Sequence, residues 1–377
     1  MKYDLMIVGA GVLGTFHAYS AAQKGLKVLL VEKDSKPIQA TVRNFGQVIP
    51  SGMTQDLQTT ALRSLEIYSQ LQEKVDISAR KNGSWYIASD DQEMKILEEM
   101  AACNMNSGCQ SEIHDTLQTL AVNPALRKEY VKGSLFFPEE FSVNPLKMIY
   151  SVIDYIVQEL KVDYLPNTKI IAIENKSNEV HCRDSAGETY IATKAVICNG
   201  HDYQSLFPKR FLESDLELVK LQMMRTQPLS TVKLQGNILS GRSIRRYESF
   251  KNCPSWGGNK QNGDLEKYGI HILFKQEIDG SIIIGDSHEY SDIDKAANLS
   301  FKMNQSINQL MINEAQKIAQ FPSWDMAEYW AGYYSQHKSE HFYKDDIDGN
   351  IHFFTAIGGK GMTLGPGISE KNISEII

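Results

Sequence analysis

The stretch that decides the fold is residues 4–33, DLMIVGAGVLGTFHAYSAAQKGLKVLLVEK. Residues 5–8 are continuously apolar, which is typical of a strand buried on both faces of a parallel sheet. A glycine-rich turn follows, then an alanine-rich segment that predicts a thin helix, and residues 26–31 predict a second buried strand. A strand, a glycine turn, a helix and a second strand in this order indicate a nucleotide-binding unit.

The glycines of the turn and the acid after the second strand each have a physical function. Gly9 permits the tight turn, Gly11 lets the backbone approach a pyrophosphate, and Gly14 lets the helix pack closely on the strand. The helix N-terminus then directs N–H groups at the phosphates. Glu32, eighteen residues after Gly14, is placed to accept hydrogen bonds from an adenosine ribose and to repel a 2′-phosphate. We therefore expect FAD or NAD rather than NADP, and we include Lys33 among the cofactor-binding residues.

The composition is that of an ordinary globular protein. With 377 residues, 42% hydrophobic and 23% charged, the chain is long enough for two domains. The net charge of −7 and a pI near 5.8 argue against nucleic-acid or anionic-membrane binding, so we expect small-molecule partners. The first strand begins almost at Met1 and no apolar run is long, so we expect neither a signal peptide nor a transmembrane segment. The five cysteines include no CxxC pair, which favours a reducing, cytoplasmic location without disulfides or zinc.

Further along the chain, the patterns predict elements that leave the first unit and return to it. Helices are predicted at 55–74, 145–160 and 296–318, mostly helical structure at 90–118, strands at 83–88, 195–198, 217–224, 271–274 and 281–284, a hairpin around 185–187 and a turn-rich segment at 123–144. Alternation between 216 and 286 predicts an antiparallel substrate platform, and 324–334 begins the final return. The strand at 195–198 ends near Gly200, where a side chain would obstruct the cofactor.

A second glycine-rich element lies in residues 351–377, IHFFTAIGGKGMTLGPGISEKNISEII. Its apolar strand delivers Gly358, Gly359 and Gly361 to a loop that precedes a predicted helix. The backbone N–H groups of such a loop can point at a flavin O2 atom, which gains negative charge when the ring is reduced. The simpler alternative is a plain connection between a strand and a helix.

Together these elements resemble the D-amino-acid oxidase-like FAD-dependent oxidoreductases, the family that contains glycine oxidase and sarcosine oxidase. The resemblance spans nearly the whole chain and rests on the glycine unit with Glu32, on AVICNG (195–200), on Trp330-Ala331-Gly332 and on the glycine-rich residues 358–367. It implies an α/β fold with a discontinuous Rossmann-type FAD-binding domain (1–80, 145–215 and 325–377). It also implies an α+β substrate domain with a mainly antiparallel sheet (81–144 and 216–324).

The resemblance assigns cofactor contacts by position. Glu32 would hold the adenosine ribose, and Ile170 would place its backbone beside the adenine. The flavin ring would be wrapped by Thr41, Arg43, Asn44, Phe45, Gly46 and Gln47, and its pyrimidine end would be contacted by Gly358, Gly359, Lys360, Gly361, Met362 and Thr363. Gly200 would lie beside the cofactor, and Arg43 has the alternative of a surface ion-pair residue.

Departures from the family pattern are also informative. Glycine oxidase-like members place an arginine two positions after the glycine of the Trp-Ala-Gly motif, where this chain has Tyr334. Residues 333–341 contain no cysteine that could attach FAD as in sarcosine oxidase-like members, so we expect noncovalent FAD. Ile283 stands near the position of their oxygen-activating lysine, so the electron acceptor is left open between oxygen and a quinone or other electron carrier.

The finer match is to a subgroup associated with organophosphonate breakdown, which suggests an aminoalkylphosphonate substrate. A guanidinium group can bind two phosphonate oxygens through parallel hydrogen bonds. Arg242 and Arg246 are therefore predicted to bind substrate together with Tyr247 and Tyr334. Strand alternation would send Arg242 and Arg246 to one face and Arg245 to the other, and the alternative is a solvated basic strand edge.

No acid or base is strictly needed when a neutral amine passes a hydride to flavin N5, so the flavin itself carries the chemistry. The candidates for a catalytic side chain are Arg43, Tyr334 and His337. The spacing of the histidines at 201, 271, 288, 337 and 341 supports no metal site.

We predict FAD-dependent oxidation of the C–N bond of a small amine, which is an amino acid, an N-methyl amine or an aminoalkylphosphonate. One alternative is a FAD-dependent 2-hydroxyacid dehydrogenase, which would use a base near the flavin. Another is a non-catalytic FAD protein that transfers electrons or binds a partner.

Overall fold

The computed structural model describes residues 2–107, 109–258 and 263–377. Numbered in chain order, the strands are β1 (Lys2–Val8), β2 (Val28–Val31), β3 (Gln47–Val48), β4 (Arg80–Lys81), β5 (Ser84–Ala88), β6 (Glu112–Asp115), β7 (Gly133–Phe137), β8 (Phe141–Ser142), β9 (Asp163–Leu165), β10 (Ile170–Lys176), β11 (Glu179–Asp184), β12 (Thr189–Ile197), β13 (Leu216–Thr226), β14 (Asn237–Leu239), β15 (Leu273–Gln276), β16 (Ile282–Gly285), β17 (Glu289–Asp292), β18 (Met326–His337), β19 (Tyr343–Ile347) and β20 (Ile351–Thr355).

The α-helices are α1 (Val12–Gln23), α2 (Gln55–Lys74), α3 (Asp91–Ser107), α4 (Thr116–Val122), α5 (Pro145–Gln158), α6 (Pro208–Leu212), α7 (Gly241–Arg246), α8 (Asp264–Lys267), α9 (Gln305–Ile318) and α10 (Gly361–Ile376). Within the described ranges, no helix has both the length and the apolar character that crossing a membrane requires.

The first sheet has eight strands and carries the predicted nucleotide-binding unit. Its parallel core runs β20, β12, β1, β2, β9, with β19 antiparallel at one edge and the β10–β11 hairpin attached to β12. Alternate residues of β1 enter two separate apolar clusters, Leu5 and Ile7 in one and Met6 and Val8 in the other. The continuous apolar run in the sequence therefore belongs to a strand that is buried on both faces, as predicted.

The turn between β1 and α1 depends on its glycines. Gly9 has a φ of +100°, in the region that favours glycine, and its N–H donates to the Val31 carbonyl at 2.8 Å. A Cβ on Gly14 would overlap the Gly9 carbonyl oxygen, so only glycine lets α1 pack this closely on the turn. The helix N-terminus is thereby fixed against the carboxyl ends of β1 and β2.

The second sheet has nine strands in the order β17, β13, β16, β15, β14, β5, β7, β6, with β18 paired to β13. All its pairs are antiparallel except β14 with β5. Leu221, Met223 and Leu273 lie in one apolar cluster, whereas Met224 and Phe274 lie in another, together with buried residues of α9. An α/β fold with a second, mainly antiparallel sheet is therefore confirmed.

Several predicted elements differ from the structure. Residues 241–246 form helix α7 rather than the predicted strand, because the Glu93 carboxylate lies against Gly241 and pairs with Arg245. The predicted helical region 90–118 is divided into α3, β6 and the start of α4, and a capping box formed by Asp115 and Gln118 starts α4. The helix predicted at 296–318 begins only at Gln305, and the segment 123–144, predicted as turns, contains β7 and β8.

Strand β18 bears on how the chain divides into domains. It pairs with β13 along its length, from Leu216 opposite His337 to Thr226 opposite Met326, and so it lies in the second sheet. Strand β19 is the first strand after it that pairs in the first sheet. We therefore propose that the last segment of the FAD-binding domain begins near β19 rather than at residue 325, with the other boundaries as predicted from the sequence.

Helix α10 contains Pro366, which has no N–H to donate to the carbonyl four residues earlier. That carbonyl belongs to Met362, and the buried phenol of Tyr68 on α2 donates to it at 3.0 Å. The side chain of α2 thus replaces the hydrogen bond that the proline removes, close to the glycine loop at 358–361.

Replacing Tyr68 with phenylalanine should lower the free energy of unfolding by about 1–3 kcal/mol, because the enclosed Met362 carbonyl is left without a donor. In a Pro366→Ala background the alanine N–H can serve that carbonyl, so the loss should shrink. Urea unfolding followed by circular dichroism measures both values. Tyr155→Phe, at a partly buried phenol on α5, is the matched control. Equal losses in both backgrounds would show that the Tyr68 hydroxyl does not replace the hydrogen bond that Pro366 removes.

Candidate functional site

One cavity of about 850 Å³ joins the carboxyl ends of the first sheet to one face of the second. Its wall includes almost all the residues predicted as sites: Gly9, Gly11, Glu32, Lys33, Thr41, Arg43, Asn44, Phe45, Gly46, Gln47, Ile170, Gly200, Arg246, Tyr247, Tyr334, His337, Gly358, Gly359, Lys360, Gly361, Met362 and Thr363. Gly14 is not part of the wall, and its lack of a Cβ lets α1 pack on the Gly9 carbonyl behind it. Arg242 is not part of the wall.

The buried Glu32 is fixed at the end of β2 by backbone donors. The Ala10 N–H donates to Oε2 at 2.8 Å and the Asp34 N–H donates to Oε1 at 3.1 Å. Burial raises the pKa of Glu32, against the lowering effect of those two N–H groups. Each carboxylate oxygen keeps a second lone pair, so Glu32 can still accept hydrogen bonds from a ligand hydroxyl. Thr168, Lys169 and Ile170 line the cavity together with Glu32, as a site for adenosine requires.

The segment 41–47 is attached to the same turn. The Thr41 hydroxyl accepts a hydrogen bond from the Val12 N–H at 2.9 Å, at the first residue of α1. Asn44 stabilises the segment internally, since its Nδ2 donates to the Thr41 carbonyl and its Oδ1 accepts from the Gly46 N–H. Gln47 Nε2 is buried in the cavity wall without a hydrogen-bond partner among the described residues. An acceptor on a bound ligand would satisfy that amide.

Arg43 joins the 41–47 segment to the second sheet. Its Nε donates to the Ile38 carbonyl at 2.8 Å and its Nη1 to the Ala331 carbonyl at 3.2 Å. Trp330 Nε1 donates in turn to the Arg43 carbonyl, and a Cβ on Gly332 would lie 3.2 Å from the same oxygen. The Trp-Ala-Gly motif therefore packs β18 against the 41–47 segment, and the guanidinium of Arg43 is engaged with backbone carbonyls.

The loop at 358–363 forms the opposite wall. Gly358 has a φ of +66°, and the Thr363 hydroxyl accepts from the Ile49 N–H at 3.1 Å. Burial lowers the pKa of Lys360, against the raising effect of Glu248 and Asp56. A Cβ on Gly359 would lie 3.8 Å from the Tyr334 hydroxyl, so β18 faces this loop.

Two of the candidate catalytic side chains are limited by their surroundings. Burial raises the pKa of the Tyr334 hydroxyl well above its ordinary value, and Asp286 and Tyr290 raise it further, so this phenol is a donor rather than a base. His337 Nδ1 accepts hydrogen bonds from the N–H groups of Ser339 and Glu340, which occupies that nitrogen in a turn.

Gly200 connects β18 with the first sheet. Its carbonyl oxygen accepts hydrogen bonds from Ser335 on β18 and Thr355 on β20, both at 2.9 Å. A Cβ on Gly200 would meet no atom of the protein within 4 Å, so the φ of +60° rather than crowding favours glycine here. This contact fixes the cavity floor relative to the nucleotide-binding strands.

The three arginines of α7 have different partners. Arg242 pairs with Glu314 on α9 at 3.0 Å, outside the cavity, which contradicts the prediction that strand alternation groups it with Arg246. Arg245 also lines the cavity, but it pairs with Asp90 and Glu93. Arg246 lines the cavity, and its Nη2 donates to the Tyr290 hydroxyl at 3.0 Å. In the described part of the chain, the Arg246 guanidinium forms no ion pair within 4.0 Å.

Beside Arg246 lies a cluster that the sequence patterns did not identify. His271 Nε2 is 3.0 Å and His288 Nδ1 is 3.8 Å from Asp286 Oδ1, and all three side chains are buried and line the cavity. The nearest sequence signal is the spacing of Asp286 and His288, which sends two side chains to one side of an extended segment. Neither the distance to His271 nor the approach of Arg246 could be inferred from that spacing.

Comparison with known proteins places the chain among flavoproteins. Residues 4–371 match the profile of the family described as FAD dependent oxidoreductase. An opine oxidase subunit of Rhizobium meliloti is 24% identical over 243 residues, 61% of this chain and 65% of that protein. Glycerol 3-phosphate dehydrogenase of Caloramator mitchellensis is 24% identical over 301 residues, 78% of this chain and 57% of that protein. The chain thus spans less than two thirds of the length of these curated relatives.

A solved structure shows the same fold. Glycine oxidase from Geobacillus kaustophilus superposes with a TM-score of 0.78 at 16% identity, over 100% of this chain and 94% of that one. The cavity suits FAD in this frame, since it offers a helix N-terminus, the remaining lone pairs of Glu32, the unsatisfied Gln47 amide and the glycine loop at 358–361.

If Glu32 binds the ribose hydroxyls of FAD, replacing it with glutamine should weaken FAD binding roughly 10–100-fold, because a charged acceptor is lost at a buried site. Titration of apoprotein with FAD, followed by quenching of flavin fluorescence, gives the dissociation constant. Glu179→Gln, on β11 of the same sheet and outside the cavity, is the control. Equal affinities of the wild-type protein and Glu32→Gln would remove Glu32 from the cofactor site.

Proposed function

The chain belongs to the family of FAD-dependent oxidoreductases, and we propose that it oxidises the C–N bond of a small amine that also carries an acidic group. When bound, FAD would supply the acceptor for the hydride that leaves the carbon beside the nitrogen. An amine R–CH2–NH–R′ that loses a hydride becomes the iminium ion R–CH=NH⁺–R′, and water converts that ion to R–CHO and R′–NH3⁺. We propose that FAD is held noncovalently by the residues predicted from the sequence.

The observation that carries this proposal is the guanidinium of Arg246, which faces the cavity without a carboxylate partner. The other two α7 arginines pair with carboxylates, whereas among the described residues Arg246 forms its side-chain hydrogen bond with the neutral Tyr290 hydroxyl. Burial alone would lower the pKa of Arg246, yet Tyr290 and Asp286 raise it, so the group stays charged. A half-buried cation in the cavity wall without a paired anion favours an anionic ligand.

The names of the relatives are consistent with such a ligand. Glycine oxidase is named for an amine with a carboxylate, and glycerol 3-phosphate dehydrogenase for an alcohol with a phosphate. Both compounds carry an anion that a guanidinium binds through two parallel hydrogen bonds. We propose an aminoalkylphosphonate as the finer assignment, because Arg246, Tyr290 and Tyr247 together offer several donors around one point of the cavity wall.

The protein's own contribution is to orient the substrate and exclude water. Leu221, Met223 and Leu273 form an apolar part of the wall on the second sheet, which desolvates the reacting carbon. Arg246 fixes the acidic end, so that the carbon beside nitrogen is held at one distance from it. Burial raises the pKa of Tyr247 above its ordinary value, as it does for Tyr334, so both phenols remain protonated donors.

A second candidate is oxidation of an alcohol such as a 2-hydroxyacid, which the glycerol 3-phosphate dehydrogenase relationship favours. This reaction needs a base for the hydroxyl proton. His288 is the candidate, since its Nδ1–H donates to the Gly269 carbonyl at 3.2 Å and leaves the Nε2 lone pair free to accept. A non-catalytic role is disfavoured because a complete second sheet covers the cavity.

An anaerobic screen separates these functions. Purified protein is mixed with glycine, sarcosine, 2-aminoethylphosphonate, its N-methyl derivative, glycolate, lactate and glycerol 3-phosphate, and loss of the oxidised-flavin absorbance is recorded. We expect rapid bleaching by amines with an acidic group and none by the hydroxy compounds. Bleaching by hydroxy compounds alone would favour the second candidate. Reoxidation with oxygen and with a soluble quinone then compares the two proposed acceptors.

Arg246→Gln should raise the dissociation constant of the reducing amine at least roughly 30-fold, because a desolvated charge contact is lost. The concentration dependence of anaerobic flavin reduction gives this constant. Arg242→Gln removes the same charge from the same helix at a residue outside the cavity and should change it less than about threefold. Similar effects of the two substitutions would refute the assignment of Arg246.

A further inference from the structure

The cavity end formed by the second sheet holds two opposite charges, the half-buried Arg246 and the buried Asp286, that do not pair with each other. Arg246 lines this end from α7, and Asp286 lines it from the connection between β16 and β17. In the described part of the chain no contact within 4.0 Å joins the guanidinium to the carboxylate. Arg246 is hydrogen-bonded instead to the Tyr290 hydroxyl, and Asp286 Oδ1 lies 3.0 Å from His271 Nε2.

Asp286 is oriented by a chain of contacts behind it. His271 Nε2 lies 3.0 Å from Asp286 Oδ1, and the Ser243 hydroxyl lies 3.2 Å from His271 Nδ1. A serine that donates to Nδ1 leaves the hydrogen on Nε2, which then donates to the carboxylate. Asp286 Oδ1 is enclosed, whereas 13% of the side chain stays accessible, and the residue lines the cavity.

In the described part of the chain, the groups that face Asp286 include no charged side chain paired with it near neutral pH. Burial lowers the pKa of both His271 and His288, to about 3 for His288, so both imidazoles are neutral. Burial disfavours the Asp286 carboxylate, but the charges that His288 and His271 gain at low pH, together with Arg246, outweigh this effect and lower its pKa to about 2. Tyr247 and Tyr334 stay protonated, and Arg246 is the cation on the same wall.

We propose that Asp286 binds the protonated nitrogen of the substrate while Arg246 binds its acidic group, so that the cavity selects zwitterions. This inference rests on the proposed amine oxidation and narrows it. A zwitterion placed between the two residues pairs both charges at once, which neither a simple anion nor a simple cation can do. A 2-hydroxyacid brings only negative charge and is repelled by Asp286.

A divalent metal ion fits these residues less well, although the three potential ligand atoms of His271, Asp286 and His288 lie within 4.8 Å of one another. The His288 nitrogen that faces Asp286 is Nδ1, and it carries the hydrogen that it donates to the Gly269 carbonyl. When the Ser243 hydroxyl donates to His271 Nδ1, the hydrogen of His271 is on Nε2, on the side of Asp286. The positive charge of Arg246 on the same wall opposes a second cation.

The ion pair also predicts how the reaction depends on pH. The bound ammonium must lose a proton before its carbon gives up a hydride, R–CH2–NH2⁺–R′ + H2O → R–CH2–NH–R′ + H3O⁺. A carboxylate beside the nitrogen raises the pKa of the bound amine. At saturating amine, the rate of flavin reduction should rise with pH as the bound amine loses its proton. Asp286→Asn should move this rise to lower pH, although it weakens amine binding. Loss of a merely structural aspartate would not shift this profile in that direction.

The decisive test compares ligands that differ only at the nitrogen. Sarcosine is matched with butyrate, and N-methyl-2-aminoethylphosphonate with butylphosphonate, in which a methylene replaces the amine. Binding to the anaerobic holoenzyme is measured by perturbation of the flavin spectrum or, for ligands that reduce it, by the concentration dependence of reduction. Asp286→Asn should weaken binding of the amine at least roughly 30-fold and strengthen binding of its alkyl analogue about threefold or more. Arg246→Gln should weaken both.

Asp279→Asn, in the turn between β15 and β16 outside the cavity, is the control, with FAD content and melting temperature recorded for every variant. If Asp286→Asn does not retain FAD, His271→Gln keeps the carboxylate but disturbs its orientation, and it should weaken the amine selectively. Equal weakening of both members of a pair, or of neither, overturns the proposal. Loss of amine binding after EDTA treatment and its restoration by Zn²⁺ overturns it in favour of a metal site.

Failure of this inference is distinguishable from failure of the proposed function. If no amine reduces the wild-type flavin, amine oxidation is wrong, although the matched ligands still report whether the site prefers a zwitterion. If an amine reduces the flavin but Asp286→Asn leaves the preference for amine over alkyl ligand unchanged, the proposed amine oxidation is retained. The proposed role of Asp286 is then wrong.

Discussion

The close packing of the turn at 9–14 is the constraint on which the rest of the cavity depends. Because Gly14 has no Cβ, the first turn of α1 lies directly on the Gly9 carbonyl, and this fixes where Val12 stands. The Val12 N–H holds Thr41, and a Cβ on Gly361 or Gly365 would approach the Val12 side chain to 3.3 or 2.9 Å. The turn therefore positions both segments predicted to enclose the flavin, one through a hydrogen bond and the other through small residues of α10.

A few polar contacts attach the second sheet to the nucleotide-binding strands and to the 41–47 segment. Arg43 bonds to the Ala331 carbonyl, and the Gly200 carbonyl accepts from Ser335 and Thr355. These contacts come from β18, β20 and the 41–47 segment, so the floor of the cavity cannot shift without breaking bonds at the nucleotide-binding strands. A cavity built in this way can hold a large cofactor and still place charged side chains at a fixed distance from it.

Much of the architecture could be predicted because its signals are local. The glycines, the apolar runs and the helical periods of α2 and α5 are each set by neighbours a few residues away, and the predicted bounds of α2 match the observed ones. Helix α7 could not be predicted in this way, because Glu93 from a distant part of the chain fixes its conformation. The sheet to which β18 belongs could not be predicted for a similar reason, since its partner β13 is about a hundred residues earlier in the chain.

The sequence by itself determined the nucleotide-binding unit, the second glycine loop and the FAD-dependent oxidoreductase family. In these elements the backbone makes the decisive contacts, and glycine is required wherever that backbone must turn or approach closely. Only the tertiary structure decided which charges face the substrate end of the cavity. Arg242, Arg245 and Arg246 look alike in sequence, but Glu314 pairs with Arg242 outside the cavity, and Asp90 and Glu93 pair with Arg245 in its wall. Among the described residues, Arg246 is thus the arginine of the three that lines the cavity without a carboxylate partner. The role proposed for Asp286 likewise depends on the tertiary structure, because its neighbours His271 and Arg246 come from other parts of the chain.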